Sequence, residues 1–301
     1  MYYRSLNEEL REKFGEKLYK LALDGGFTCP NRDGTIGSRG CTFCLGGSGS
    51  FAEGKCASVS EQIERAKRRV EKKNSSGKYI AYFQSYTNTY APVERLAALF
   101  GEAIAHPDIA ALSVGTRPDC LPPEVLELLA RLNKIKPVWV ELGLQTIHEQ
   151  TAEKIRRGYD LSVFDKAVND CKAAGLYTVV HMIIGLPGET PEMAAQTADY
   201  IGKSGADGIK LQLLHVLRGT DMAEQYAAGE FEVMSMEEYI SALEECVRRL
   251  PPQMTVHRLT GDGDKKYLIA PLWSADKKRV LNAVNGAFRR DNVVQGERYE
   301  V

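Results

Sequence analysis

Residues 29–44 read Cys-Pro-Asn-Arg-Asp-Gly-Thr-Ile-Gly-Ser-Arg-Gly-Cys-Thr-Phe-Cys and bring three thiols close together in the chain. Eleven residues separate Cys29 from Cys41, and two separate Cys41 from Cys44. The segment contains three glycines and several turn-forming residues, so it can fold back and bring the sulfur atoms to one metal centre. Because three protein ligands leave one coordination position free, the pattern favours a metal site that does chemistry.

The cysteine spacing alone leaves three interpretations open: an iron–sulfur site, a zinc knuckle, or unrelated thiols. A zinc knuckle needs a fourth ligand, and no histidine precedes His106 in the sequence. Cys56 follows Cys44 by twelve residues and could be that ligand, but it does not belong to a second Cys-x-x-Cys pair. Other parts of the sequence have to decide between the three.

The composition is that of an ordinary globular protein, with 44% hydrophobic and 26% charged residues among 301. A net charge of −1 gives no global attraction to nucleic acid, so any such contact must come from a local basic patch. No apolar run approaches the ~20 residues that span a bilayer, and residues 1–5 lack the apolar core of a signal peptide. Seven cysteines, an odd number, do not suggest a disulfide framework. We therefore expect a cytoplasmic protein with no membrane partner.

The apolar pattern predicts six strands that alternate with helices. Each strand is nearly continuous in apolar residues, which is typical of strands buried on both faces within βα units and therefore of a parallel sheet. The predicted strands cover residues 17–23, 78–83, 110–114, 138–144, 176–184 and 208–214. The predicted helices cover residues 1–16, 58–73, 92–106, 122–133, 147–156, 162–174 and 191–203.

The domain organisation follows from where this alternation stops. No repeat or low-complexity linker interrupts the series, so we predict one domain over residues 1–258, with the cysteine loop at 24–56. The composition changes from Gly261 onward, where a helix over about 274–289 and a polar tail follow. We expect residues 259–301 to be an extension packed on the first domain.

Polar side chains follow the predicted strands at their carboxyl ends, where ligands gather in parallel βα folds. A structural zinc loop would not require this, so the pattern favours a catalytic rim. The polar segments are Gln84–Asn88 after the second strand, Thr116–Asp119 after the third, Gln145 after the fourth, Gly185–Glu189 after the fifth and His215 after the sixth.

Seven motifs together make the chain recognisable. They are Cys-Pro-Asn-Arg-Asp-Gly (29–34), Cys-Thr-Phe-Cys (41–44), Tyr-Phe-Gln-Ser-Tyr-Thr-Asn-Thr-Tyr (82–90), Glu-Leu-Gly-Leu-Gln (141–145), Arg-Gly-Tyr-Asp (157–160), His-Met-Ile-Ile-Gly-Leu-Pro-Gly-Glu (181–189) and Ala-Pro-Leu-Trp-Ser (270–274). With them the chain resembles the radical S-adenosylmethionine (SAM) enzymes, and among these the bacterial YhcC/YtqA (MnmL-like) group. That group is related to the radical SAM half of Elongator catalytic subunits. It shares the long gap after the first cysteine.

The resemblance implies an α/β fold, a partial (β/α)6 TIM-like barrel of parallel strands with a C-terminal extension. It implies a [4Fe–4S] cluster whose irons are ligated by Cys29, Cys41 and Cys44, while SAM chelates the fourth iron. Thiolates suit such an iron site. Phe43, between the last two cysteines, would pack near the adenine of SAM; the alternative is a plain core aromatic.

The resemblance also implies the residues that hold SAM. The alternatives are a surface charge for Arg157 and a structural ion pair for Glu141, because an unpaired carboxylate inside a strand would be expensive. His181 is expected more as a satisfied core histidine than as a catalytic group. The expected SAM contacts are Gln84, Ser85 and Tyr86 (methionine amino group), Arg157 (methionine carboxylate), Glu141 and Gln145 (ribose), and Ile184, Gly185 and Leu186 (adenine edge).

Six polar residues on the strand ends are candidates for contact with the substrate. For each of them a plain rim position is the alternative. They are Asn88, Tyr90, Arg117, Lys210, His215 and Arg218.

The implied chemistry is reductive cleavage of SAM to methionine and a 5′-deoxyadenosyl radical, which abstracts hydrogen from an unactivated C–H bond. The group is associated with tRNA modification, in which carboxymethylaminomethyl uridine at the wobble position becomes aminomethyl uridine. We expect tRNA and an electron donor such as flavodoxin or ferredoxin as partners. Basic runs at 67–69, 72–73, 277–279 and 289–290 could touch phosphates, although such runs are more often solvated helix faces.

Two alternatives remain open from the sequence. One is a radical SAM enzyme that acts on a small metabolite such as a tetrapyrrole. The other, from a different class, is a non-catalytic zinc-binding RNA module.

Overall fold

A seven-stranded parallel sheet forms the centre of the computed structural model, which describes residues 2–46, 52, 58–74, 76–261 and 263–300. The strands of the described residues are β1 (Tyr19–Leu23), β2 (Tyr79–Phe83), β3 (Ile109–Thr116), β4 (Val138–Gln145), β5 (Tyr177–Ile184), β6 (Gly208–Leu213), β7 (Val216–Leu217), β8 (Thr255–Arg258) and β9 (Leu268–Ala270). The main sheet curls into a half-barrel with the strand order β1-β2-β3-β4-β5-β6-β8. The fold class predicted from the sequence is confirmed.

The helices of the βα units lie between these strands in sequence. None of the helices in the described ranges is both long and apolar enough to cross a membrane. They are α1 (Leu6–Phe14), α2 (Val59–Val70), α3 (Val93–Ala105), α4 (Pro123–Asn133), α5 (Glu149–Lys154), α6 (Leu161–Ala173), α7 (Pro191–Lys203), α8 (Asp221–Ala227), α9 (Met236–Arg248) and α10 (Lys277–Arg290).

Two helices and three strands were not predicted from the sequence. The helix α9 begins at a capping box, in which the side chains of Ser235 and Glu238 each accept a hydrogen bond from the backbone N–H of the other residue. This pair of residues is a sequence signal for the start of a helix. The strand β8 extends the sheet beyond β6 as a seventh strand, but its four residues include His257 and Arg258 and lack an apolar run. The short strands β7 and β9 pair with each other, outside the main sheet.

The two faces of the sheet have different partners because side chains alternate along each strand. On β4, Val140, Leu142 and Leu144 belong to the large apolar core that includes residues of the surrounding helices. Trp139 and Glu141 lie on the opposite face and point into the lumen of the half-barrel. The alternation therefore separates an apolar outer layer from a lumen that can hold polar groups.

An apolar plug closes the amino-terminal end of the lumen. Ile80, Ala111 and Trp139 form a cluster with Leu10 of α1 and with Leu18. Trp139 is 1% exposed and lies beside the ring of His257 at a centroid separation of 5.5 Å. Because this end is closed, the lumen opens toward the carboxyl ends of the strands and at the gap between the edge strands β1 and β8.

The C-terminal segment packs on the same core as the sheet. Val280, Val284 and Phe288 of α10 are buried in the main apolar cluster. The rings of Tyr2 and Tyr3 each meet the Phe288 ring edge-on at 6.2 Å, so both ends of the described chain join here. A domain division at residue 258 stays a prediction.

The packing of α10 can be tested with Phe288→Ala. Because Phe288 is fully buried, we expect the free energy of unfolding to fall by about 3–5 kcal/mol. The matched control is Asn282→Ala, an exposed position on the same helix, which should stay within about 0.5 kcal/mol of wild type. Urea denaturation measures both. Equal stability of the two variants would show that α10 does not contribute to the core.

Candidate functional site

The cysteine loop follows β1 and folds back on itself at the carboxyl edge of the sheet. The carbonyl of Cys29 accepts a hydrogen bond from the N–H of Arg32 at 2.8 Å, and that of Cys41 accepts one from Cys44 at 3.0 Å. Gly40, with φ of +74°, lies so close to the Arg32 side chain that a Cβ there would be 2.7 Å from its Nε. The glycine therefore permits the close approach that folds the loop.

The loop is fastened to the segment that follows α5. Asn31 is buried, and its Nδ2 donates to the carbonyl of Arg156 at 2.6 Å and contacts the Cys41 sulfur at 3.6 Å. The N–H of Thr42 donates to the carbonyl of Ile155 at 3.1 Å. Both backbone carbonyls belong to one segment, residues 155–156, so that segment holds the loop at position 41.

All three clustered thiols line one cavity of about 260 Å³ at the carboxyl edge. Zinc is four-coordinate in a structural site, and these three cysteines would supply three of its ligands. Cys56, the other possible zinc ligand, lies outside the described residues.

Three thiols on the wall of one cavity form a donor set that suits an iron–sulfur cluster. Burial raises the pKa of the Cys41 thiol to about 11, so a metal has to displace the proton for the thiolate to form there. Gln145 lines the same cavity in a left-handed conformation, with φ of +71°, and its buried Oε1 has no hydrogen-bond partner in the described chain. A buried acceptor without a partner is expected where a ligand supplies the missing donor.

The structure brings together ten of the residues predicted from the sequence and leaves nine others outside the cavity. The cavity is lined by Cys29, Cys41, Phe43, Cys44, Gln84, Tyr86, Arg117, Glu141, Gln145 and Arg157. The residues outside its lining are Ser85, Asn88, Tyr90, Ile184, Gly185, Leu186, Lys210, His215 and Arg218.

The segment after β2 carries a strained backbone next to the cysteine loop. Tyr86 has φ of +61°, and a Cβ on Gly46 would lie 3.2 Å from its hydroxyl. Ser85 is buried, and its Oγ has no hydrogen-bond partner in the described ranges. Non-glycine residues in this conformation are uncommon and cluster at binding sites.

Arg157 is 2% exposed, so the surface-charge alternative is wrong. Its guanidinium donates to the carbonyl of Thr146 at 2.7 Å, to the carbonyl of Tyr159 at 3.0 Å and to Glu149 at 2.9 Å. These bonds tie the end of β4 to the segment after α5. A contact with the methionine carboxylate stays a prediction.

Arg117 lies beside Arg157 in the cavity wall. It binds Asp119 through two parallel hydrogen bonds, of 2.9 and 2.7 Å, and donates to the carbonyl of Arg157 at 2.8 Å. Burial opposes its charge, but Asp119 raises the pKa of Arg117 above its ordinary value. A permanent positive charge therefore lies next to the thiols.

Glu141 lies at the centre of a charged network inside the lumen. Its Oε1 accepts from Lys20 at 2.5 Å and from Ser113 at 2.6 Å, and its Oε2 accepts from His181 at 2.7 Å and from Lys210. Burial alone would raise the pKa of Glu141, but the two lysines and His181 hold it well below the usual range. Both oxygens thus have protein partners, as in a structural ion pair, and a ribose contact stays a prediction.

An apolar patch lies near the cysteine loop at the ends of β5 and β6. Phe43 packs against a cluster that contains Ile183, Leu186 and Leu214. Gly185 has φ of +88°, and a Cβ there would meet Met234 at 3.4 Å. The contacts of Phe43, Ile184, Gly185 and Leu186 with an adenine stay predictions.

The candidate substrate residues have different surroundings. Buried Asn88 donates to the carbonyl of Gly115 at 2.7 Å, and Tyr90 contacts Thr35 at 2.9 Å. Arg218 is exposed. His215 packs closely on two glycines: a Cβ on Gly261 would lie 2.7 Å from its ring, and a Cβ on Gly263 would lie 2.8 Å from it. Lys210 is in the lumen with Glu141.

Sequence reasoning missed three residues that hold the site. Lys20 and Tyr82 lie in predicted strands, where their polar groups gave no separate signal. Asn31 lies within the cysteine segment, which the sequence indicated only to be a loop with three glycines and several turn formers. Their partners are Glu141, Lys210 and Arg156, all distant in sequence.

Comparisons with known proteins identify related sequences and a related fold. Residues 33–201 match the profile of the Radical SAM superfamily, and residues 206–290 match that of the Radical_SAM C-terminal domain. The chain is 44% identical to the protein YtqA of Bacillus subtilis (strain 168) over 299 residues, which are 99% of this chain and 93% of YtqA. The zinc-binding RNA module is therefore the wrong class.

Two further proteins are similar to parts of the chain. The tRNA uridine(34) acetyltransferase of Methanocaldococcus jannaschii is 30% identical over 156 residues, which are 50% of this chain and 28% of that protein. The solved structure of the Methanocaldococcus infernus Elp3 with an N-terminal deletion superposes with a TM-score of 0.70 at 18% identity. That alignment covers 92% of this chain and 64% of the other, and it shows a shared fold.

The cysteine site can be tested by replacing one thiol. After anaerobic reconstitution with iron and sulfide, we expect wild type to hold about four irons per chain and Cys41→Ala to hold close to none. The matched control is Cys171→Ala, which removes a buried thiol of α6 outside the cavity and should retain the iron. Iron analysis and the visible absorption spectrum measure the result. Full iron in Cys41→Ala would exclude this ligand.

Two half-buried histidines of the lumen, His181 and His257, predict a loss of stability in mild acid. Burial lowers the pKa of His181 to about 4 and that of His257 well below its ordinary value, while both titrate near 6.5 in the unfolded chain. Below pH 6.5 the unfolded chain therefore binds more protons, and the free energy of unfolding falls by up to about 1.4 kcal/mol per pH unit for each histidine.

Urea unfolding of wild type and of His257→Gln, measured between pH 6.5 and 4.5, checks this expectation by comparing how the free energy of unfolding falls in the two proteins. His257→Gln should show a shallower decline than wild type, because it lacks one of the two titrating groups. Parallel declines in the two proteins would contradict it.

Proposed function

Because the chain belongs to the radical SAM superfamily, we propose that this enzyme holds a [4Fe–4S] cluster on Cys29, Cys41 and Cys44 and modifies the wobble uridine of tRNA. The observation that carries the cofactor assignment is the single cavity lined by all three thiols. When bound, the cluster supplies the electron that cleaves SAM to methionine and a 5′-deoxyadenosyl radical. Such a radical would abstract a hydrogen atom from a C–H bond of the substrate.

The residues around the cavity would position SAM. Gln145 offers its unpartnered Oε1 to a donor of the ligand, and the segment at Ser85 and Tyr86 offers backbone groups at the end of β2. Phe43 and Leu186 would cover the adenine and exclude water from it. Arg157, fixed by three protein partners, keeps the β4 end in place and adds positive charge for a carboxylate.

The basic groups near the thiols would stabilise a negatively charged cluster. Arg117 is buried in the cavity wall, and Arg32 donates to the carbonyl of Cys44. Both charges are permanent at neutral pH. With a cluster bound, they would offset part of its negative charge.

Support for a tRNA substrate comes from the relatives and from the surface. Half of the chain is 30% identical to a protein named for its action on uridine 34 of tRNA. Arg68 and Arg69 are exposed on α2, and this helix packs on β1. The basic residues Lys277–Arg279 are exposed on α10, and part of that helix lies near β8. These helices border the two edges of the half-barrel, so phosphates could bind on either side of the opening.

The proposed reaction converts carboxymethylaminomethyl uridine to aminomethyl uridine. An electron donor such as flavodoxin or ferredoxin would reduce the cluster, and the proposed location is the cytoplasm. The resemblance to the YhcC/YtqA group is the basis of this choice. No feature of the described residues favours a tetrapyrrole.

Nucleoside analysis of tRNA from a strain that lacks this gene tests the substrate. We expect carboxymethylaminomethyl uridine to accumulate and aminomethyl uridine to disappear. A plasmid with the wild-type gene or with Cys171→Ala should restore the profile, and Cys41→Ala should not. An unchanged profile in the deletion strain would overturn the tRNA assignment and direct attention to small metabolites.

A further inference from the structure

A side-chain amide of the cysteine loop contacts one of the three thiols directly. Asn31 is 4% exposed, and its Nδ2 lies 3.6 Å from the sulfur of Cys41. The same nitrogen donates to the carbonyl of Arg156 at 2.6 Å. A carboxamide nitrogen has two N–H donors, so one is available for the carbonyl and one for the sulfur. The amide of Asn31 therefore lies between two acceptors and can serve both.

These neighbours also fix which way the carboxamide points. A backbone carbonyl only accepts hydrogen bonds, so the oxygen of Asn31 in the place of Nδ2 would put two acceptors 2.6 Å apart. The oxygen points instead toward Gly37, where a Cβ would lie 2.6 Å from Oδ1. A glycine at position 37 leaves room for that oxygen. The N–H groups of Asn31 thus face the sulfur and the carbonyl.

The backbone of the loop holds Asn31 beside the second cysteine. The carbonyl of Asn31 accepts a hydrogen bond from the N–H of Gly40 at 2.7 Å, one residue before Cys41. Asn31 therefore contacts the chain before Cys41 through its backbone and Cys41 itself through its side chain. Because Asn31 lies two positions after Cys29, these bonds close the long gap between the first two cysteines. The loop thus fixes the amide donor relative to the sulfur.

The amide has a second effect when Cys41 is a metal ligand. As a thiol, Cys41 can donate to the carbonyl of Arg156 at 3.5 Å. A ligating thiolate has no proton, so the sulfur and the carbonyl oxygen would then be two acceptors that face each other. The carboxamide of Asn31 donates to both and offsets their repulsion.

An N–H donor at a cluster sulfur acts on the reduction potential of the cluster. Reduction adds an electron whose charge is shared with the ligating sulfurs, so a hydrogen bond to a sulfur is stronger in the reduced state. Such a bond stabilises the reduced cluster and raises its potential. Because Asn31 is almost excluded from water, solvent competes little with the bond.

We propose that Asn31 tunes the cluster by donating an N–H···S hydrogen bond to the Cys41 ligand, and that this bond makes the cluster easier to reduce. The inference rests on the proposed [4Fe–4S] cluster on the three cysteines. It assigns Asn31 a role in setting the potential, besides its role in fastening the loop. Arg32 and Arg117 act on the same cavity through charge, whereas Asn31 is neutral and acts through one bond.

A redox titration of the full chain tests this role. Asn31→Ala removes both N–H donors, and Asn31→Asp keeps nearly the same shape but presents a carboxylate that accepts. Each protein is reconstituted anaerobically with iron and sulfide and is poised at a series of potentials. The reduced cluster is then quantified by electron paramagnetic resonance. The midpoint potential is a property of each cluster formed, so it can be measured even where a variant holds less iron.

We expect both variants to have a lower midpoint potential than wild type. The equilibrium constant for reduction should fall by about threefold to tenfold, and a tenfold fall corresponds to about 59 mV for a one-electron couple. The fall in Asn31→Asp should be at least as large as that in Asn31→Ala, because its negative charge also opposes the added electron.

The matched control loosens the loop but leaves the carboxamide of Asn31 intact. Asp221 of α8 binds Arg39 of the loop at 2.7 Å and also binds the guanidinium of Arg156. Asp221→Asn weakens both contacts. It should change the equilibrium constant for reduction by less than about twofold, because this carboxylate is partly exposed and screened. Loss of its negative charge acts to raise the potential, opposite to the change expected for the Asn31 variants.

Three results would overturn the inference. They are an unchanged potential in both Asn31 variants, an equal fall in Asp221→Asn, and the loss of all iron from both Asn31 variants, which would make Asn31 a structural residue of the loop. Iron content and SAM cleavage of wild type are measured on the same preparation. If wild type holds the cluster and cleaves SAM, each of these results leaves the proposed function standing. A wild type that holds no cluster would overturn both.

Discussion

The buried carboxylate of Glu141 is the constraint on which the lumen depends. Four polar groups from four other strands converge on its two oxygens, namely Lys20, Ser113, His181 and Lys210. Because an uncompensated buried charge costs about 3–5 kcal/mol, these strands can curl only in a way that keeps the partners in contact. The network separates the apolar plug below from the cysteine cavity above, and so fixes the depth at which ligands can bind.

Parallel strand order then decides where the chemistry takes place. All seven strands of the main sheet run in one direction, so the cysteine loop after β1 and the polar segments after β2 to β5 meet at one edge. Bonds from Asn31 to Arg156 fasten the loop there. Two arginines, Arg32 and Arg117, line the same cavity as the thiols.

The sequence predicted the elements whose signals are local. Apolar runs located the first six strands, and the thiol spacing identified the loop that lines the cavity. Strand β8 was not predicted because its four residues follow no apolar pattern. The charged network around Glu141 could not be predicted because Lys20 and Lys210 lie 121 and 69 positions from Glu141 in the sequence. The burial of Arg157 was equally invisible, since its partners are mostly backbone carbonyls that only folding brings near.

Electron paramagnetic resonance on the reconstituted and reduced protein tests the central claim most directly, because it reports both the cluster and its open iron. We predict the signal of one [4Fe–4S] cluster per chain, with g values that shift when SAM is added. A colourless protein that retains zinc, or a cluster signal that SAM leaves unchanged, would contradict the account.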